Sequence, residues 1–127
     1  MKDFRNLNVW RKAHELALAV YRESRKLPKE EMFGLTSQIR RSVMSIPANI
    51  AEGCGRSQSS GDFARFLQIA AGSASETEYH LLLARDLGFF PGELHSFLEG
   101  AVVEVKRMLS SLIQTVRKPQ RRDETER

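Results

Sequence analysis

Apolar residues recur at helical spacing along nearly the whole chain, in four blocks separated by proline, glycine and serine. No block alternates with the period of two that marks a strand. An amphipathic helix must bury its stripe against another element, so this pattern predicts an all-α fold of helix packed on helix. The chain has 127 residues, enough for one domain and one core. Four helices use nearly all of that length.

The first block predicts a helix over 8–27, opened by Asn6 or Asn8 and closed before Pro28. Val9, Trp10, Ala13, Leu16, Ala17, Val20 and Tyr21 share one side, and Arg11, Arg22, Arg25 and Lys26 the other. The second predicts a helix over 31–52. Its apolar stripe is Ile39, Val43, Ile46 and Ile50, with Pro47 inside it as an expected kink. A polar stripe of Gln38, Ser42, Ser45, Asn49 and Glu52 lies about 100° round. This helix has few charges beyond Arg40, Arg41 and Glu52, so it is expected to be covered on more than one side.

Gly53 to Gly61 reads as a loop, Ser59 or Ser60 as the cap of the third helix, and Asp62 as a carboxylate facing its positive end. The third helix is predicted over 61–87. Phe63, Phe66, Leu67, Ala70, Ala74, Thr77, Leu81 and Ala84 form its core face, small residues at 72–75 allow close approach, and Gly88 is its stop. The fourth is predicted over 91–118, starting at Pro91 and ending before Pro119. Its wide stripe is Leu94, Phe97, Leu98, Ala101, Val105, Met108, Leu109, Leu112 and Val116. Residues 120–127 form a charged tail expected to be disordered, leaving 1–118 as the domain. Short connections predict an antiparallel up-down-up-down four-helix bundle.

Charge and chemistry narrow the function. The net charge is +4, with seven Lys/Arg against three acids over residues 1–27. That balance favours an anionic partner weakly. No signal-peptide core and no bilayer-length apolar run is present, and with a lone cysteine, Cys54, the expected setting is a reducing cytoplasm without membrane contact. A bundle di-iron site needs two Glu-x-x-His motifs and two further carboxylates. The chain offers only Glu76 and His80 at i, i+4, besides His14 and His95. Cys54 has no local base and reads as a loop cysteine. No catalytic residue, metal site or cofactor is therefore expected, and the chain reads as a non-enzyme.

Two candidate surfaces remain. One is the polar stripe, where Ser45, Asn49 and Glu52 of the second helix could meet Ser73 and Glu76 of the third, either as a partly solvated face or as an interhelix or intersubunit seam. The other is basic: Arg11 and Arg22 on the first helix, with Arg40, Arg41, Arg56 and Arg65 around the second helix and the loop after it. Clustered cations suit phosphate binding, and they suit solvation or salt bridges across subunits equally well.

The stretch Gln38-Ile-Arg-Arg-Ser-Val-Met-Ser-Ile-Pro-Ala-Asn-Ile-Ala-Glu-Gly53 resembles the signature of bacterial four-helix-bundle proteins encoded in intervening sequences of 23S ribosomal RNA genes. The resemblance continues through Asp62-Phe-Ala-Arg-Phe-Leu-Gln-Ile-Ala-Ala-Gly-Ser73 and covers about residues 4–118. It implies the same bundle, assembled as a homopentamer round a central channel. It also implies similarity to the accessory protein of diversity-generating retroelements, which binds nucleic acid and a reverse transcriptase. The expected function is a non-enzymatic, oligomeric, RNA-associated bundle. The alternative is a protein-interaction scaffold or accessory subunit with a protein partner.

Overall fold

The computed structural model describes residues 3–118, so the predicted disorder of the tail and the stop at Pro119 lie outside the described residues. A 3-10 turn, Phe4–Asn6, leads into α1 (Asn8–Glu23), followed by α2 (Leu35–Arg56), α3 (Ser60–Asp86) and α4 (Gly92–Arg117). Among the described residues there is no strand. Each helix packs on two others, α1 on α2, α2 on α3, α3 on α4 and α4 on α1, with α1 and α3 on the diagonal. That is the expected four-helix bundle.

The core follows the predicted stripes closely. Val9, Ala13, Leu16 and Val20 of α1 meet Ile39, Val43, Ile46 and Ile50 of α2. Leu67, Ala70, Ala74, Leu81 and Ala84 of α3, with Leu98, Val105 and Leu109 of α4, complete the layers. Two predicted core aromatics are turned out. Tyr21 is 38% exposed and Phe97 66% exposed, because each stands at the edge of its helix's stripe. Val102, absent from the predicted stripe, is buried on α4 one turn after Leu98. Trp10 is half-buried, stacked on His14 at 5.0 Å between ring centroids and tilted against Phe4 at 4.8 Å.

The helix ends depart from expectation for local reasons. Neither Asn6 nor Asn8 caps α1 with its side chain; Leu7 occupies that position, and Asn8 Oδ1 instead accepts from Arg11. α1 gives way at Ser24–Lys26 to a 3-10 turn, a second one spans Lys29–Glu31, and α2 begins only at Leu35. Gly34 is non-helical, and the Glu31 carboxylate accepts the Leu35 N–H at 3.1 Å, capping the helix that Glu31 was expected to start. α2 passes through buried Pro47 and continues to Arg56, so the 1–2 connection is long and the 2–3 connection is only Ser57–Ser59. Ser59 caps α3, accepting the Asp62 N–H at 3.1 Å. Gly88, at φ +79, ends it with the paired bonds of a Schellman turn, Phe89 N–H to Ala84 O and Gly88 N–H to Arg85 O, both 2.9 Å.

Helix α2 runs through the start of the expected loop 53–61, because Gly53 serves packing rather than breaking. A Cβ there would stand 2.8 Å from Phe66 Cβ and 3.1 Å from Phe63 Cδ1. Helix α2 and the start of α3 therefore touch backbone to ring, and Cys54 is a buried core residue, not a loop cysteine. Gly53→Ala is expected to cost about 1–3 kcal/mol by overpacking. Gly55→Ala, with open space around its Cβ, is expected to be neutral or stabilising by roughly 0.5–1 kcal/mol, since alanine is the better helix former. Urea unfolding of both variants checks this; equal effects would refute the close approach.

Candidate polar seam and nucleic-acid interface

Six side chains from α2 and α3 make one hydrogen-bonded ladder along their seam. Asn49 Nδ2 donates to Ser45 O at 2.8 Å and to Ser45 Oγ at 2.9 Å. Ser45 Oγ meets Ser73 Oγ at 2.8 Å. One turn on, Thr77 Oγ1 lies 2.9 Å from both Ser73 O and Ser42 Oγ, and Ser42 Oγ lies 3.0 Å from His80 Nδ1. Ser42, Thr77 and His80 are buried. Helical spacing builds this: Ser42, Ser45 and Asn49 fall on one side of α2, and Ser73, Thr77 and His80 on the facing side of α3.

Of the residues predicted for the seam, the structure brings together Ser45, Asn49 and Ser73. Glu52 points away and pairs with Arg56 at 2.6 Å. Glu76 reaches only the far side of the histidine, with Oε2 3.9 Å from His80 Nε2. Ser42 belongs to the predicted polar stripe and joins the ladder, whereas Thr77 and His80 are not placed in the seam by sequence. Their signal was present, since Thr77 follows Ser73 by four residues and His80 follows Thr77 by three, but threonine on an apolar stripe reads as core.

Burial lowers the His80 pKa below its ordinary value, only partly opposed by the Glu76 carboxylate. A neutral ring suits the ladder. In the Nε2–H tautomer, Nδ1 accepts from Ser42 Oγ, whose single proton is shared with Ile39 O at 3.2 Å, Ser42 Oγ accepts from Thr77, and Nε2–H faces Glu76. Among the described residues no cluster of three or more His, Cys, Asp and Glu could hold a metal ion.

The predicted basic residues are dispersed, and most are engaged. Arg40 is half-buried and pins the end of α1: its Nε donates to Ser24 Oγ at 2.7 Å, and its guanidinium lies over the Tyr21 ring at 5.1 Å. Arg11 donates to Arg5 O, Arg22 pairs with Glu23, Arg56 with Glu52 and Arg65 with Asp62. The Asp62 carboxyl is held below its usual range by the Arg65 hydrogen bond first and the Gln58 N–H second. Glu23 is likewise lowered, chiefly by Lys26. Arg41, exposed on the outer face of α2, has no ion pair among the described residues, and neither has Arg25. Sequence singles out Arg40 and Arg41 together and leaves Arg25 out of the candidates, because ion pairing depends on rotamers that periodicity does not fix.

A family model described as 23S rRNA-intervening sequence protein matches residues 5–111. The chain belongs to this family. A crystal structure of a protein of unknown function from the S23 ribosomal protein family of Bacteroides thetaiotaomicron is 33% identical, with a TM-score of 0.76, covering 83% of this chain and 97% of that one. Among curated proteins nothing matches. In this intervening-sequence family member no helix among the described residues is long and apolar enough to cross a membrane.

The seam generates two expectations. Ser42→Ala leaves buried His80 Nδ1 without its donor and is expected to cost about 1–3 kcal/mol. Because folding depresses the His80 pKa from 6.5, the unfolded chain binds the extra proton; this contribution is complete above about pH 6.5 and is lost as pH falls through the folded value. Denaturation from pH 7.5 to 5 is expected to show a loss that His80→Gln flattens. Superimposable profiles for the two proteins would remove His80 from the account.

Proposed function

We propose that this protein is a non-enzymatic, self-associating helical module that binds RNA through phosphate contacts from the outer faces of α1 and α2. The observation that carries the reading is the set of exposed cations there. Residues 8–26 hold five Lys/Arg against two acids, and Arg25 in the turn after α1 and Arg41 on α2 have no ion pair among the described residues. The exposed pairs of Arg22, Arg56 and Arg65 are weak enough for a phosphate to displace the carboxylate. Assembly, as the homopentamer that the family resemblance implies, would repeat this surface and raise a modest affinity by avidity. A cytoplasmic setting fits the reading. The exposed Phe97 favours a second reading, a scaffold for a protein partner, which predicts partner recovery insensitive to ribonuclease.

Fluorescence anisotropy of an RNA hairpin tests the first reading. Affinity is expected to fall linearly in log salt. Arg25→Ala and Arg41→Ala should each weaken binding and reduce the salt slope by about one. Arg40→Ala should instead lower thermal stability, since it removes the pin on α1. No binding at low salt, or an unchanged slope in both variants, refutes the phosphate-contact reading.

A further inference from the structure

Two exposed apolar patches lie on different sides of the bundle. On the α1–α2 side, Leu18 is 55% and Met44 50% exposed, and between them Tyr21 Oη approaches Met44 Sδ at 3.9 Å. Cations border this patch: Arg40 over the Tyr21 ring, Arg22 one residue after it, and Arg41 on the outer face of α2. On the outer side of α3, Ile69 is 43% and Tyr79 57% exposed, one helical face at i and i+10, with Gly72 leaving open space between them. The charge there has the opposite sign. Residues 60–86 carry four acids against two Lys/Arg, and Glu76 is exposed on the same face.

We propose that the Leu18–Tyr21–Met44 patch of one copy receives the outer face of α3 of a second copy, with Ile69 and Tyr79 as the apolar contacts and Glu76 facing the arginines. This rests on the self-association reading and assigns the surfaces that accomplish it. Three features select a second copy as the occupant. Both faces combine an apolar centre with charge, the charges are complementary, and both belong to the same chain on different sides of the bundle. Apolar contact supplies the attraction, and the charges set which face meets which. Because two different surfaces on different sides of the bundle meet, the contact is head-to-tail, the kind that builds rings or filaments, and not a two-fold dimer.

Sedimentation velocity of the full chain and two double variants decides the matter, with circular dichroism as a check on folding. Leu18→Ser with Met44→Ser removes one face, and Ile69→Ser with Tyr79→Ser removes the other; all four positions are exposed, so the fold is expected to persist. The wild type is expected to be multimeric at tens of micromolar, and each variant alone to sediment at its 14.5 kDa chain mass, with association weakened at least tenfold. Mixed in equal amounts, the variants should form a one-to-one dimer and nothing larger, because one intact patch meets one intact α3 face. A monomeric wild type overturns both this assignment and the self-association reading. A multimeric wild type with either variant still multimeric, or a mixture that stays monomeric, overturns the assignment alone.

Discussion

The hydroxyl ladder between α2 and α3 sets the geometry from which the other seams follow. Serine, threonine and asparagine are short, so two helices joined by them approach more closely than leucine would allow, and each hydrogen bond has one partner at one height. Apolar packing tolerates sliding, whereas a ladder does not, because a shifted register leaves buried hydroxyls and an imidazole without partners. The Gly53 contact with Phe66 acts at the end of the same seam and in the same sense. With α2 and α3 fixed in height, the remaining helices close the bundle by ordinary apolar layers.

The surface carries a different kind of organisation. The α1 side is rich in arginine and the α3 side carries the excess of acid, and the bundle holds them apart on a diagonal. Most of these charges are already satisfied, within one helix as with Arg65 and Asp62 or across a seam as with Lys106 of α4 and Glu78 of α3. What such a molecule offers a partner is therefore a small number of unpaired cations and a few bare apolar side chains, not a broad field of charge.

Much of the fold was legible in sequence because it rests on periodicity. Ile39, Val43, Ile46 and Ile50 admit one helical reading, and Ser59, Gly88 and Asp62 announce helix ends by chemistry that acts within a turn. Gly53 was not legible. Glycine for a break and glycine for close packing look alike until Phe66 is placed opposite. The start of α2 was missed because Glu31 serves as a cap from outside the helix. The seam was half legible: Ser45, Asn49 and Ser73 stood out as polar, while Thr77 and His80 merged into an apolar stripe. The difference between Arg40 and Arg41 is tertiary, since adjacent residues on a helix point about 100° apart and only the neighbour α1 decides which one is engaged.

The cyclic order of helix contacts has a consequence for how the chain assembles. Three of the four seams join helices that are consecutive in sequence, so their closure costs less entropy than closing the fourth. The seam between α1 and α4 joins the two ends of the domain, and at its surface Glu104 is shared between Lys12 at 3.5 Å and Arg107 at 3.9 Å. A fold dominated by local contacts forms quickly, and the one non-local seam is the natural last step and the first to open. Slow motion in this bundle should therefore be sought as a parting of α1 from α4, with the α2–α3 pair remaining intact behind it.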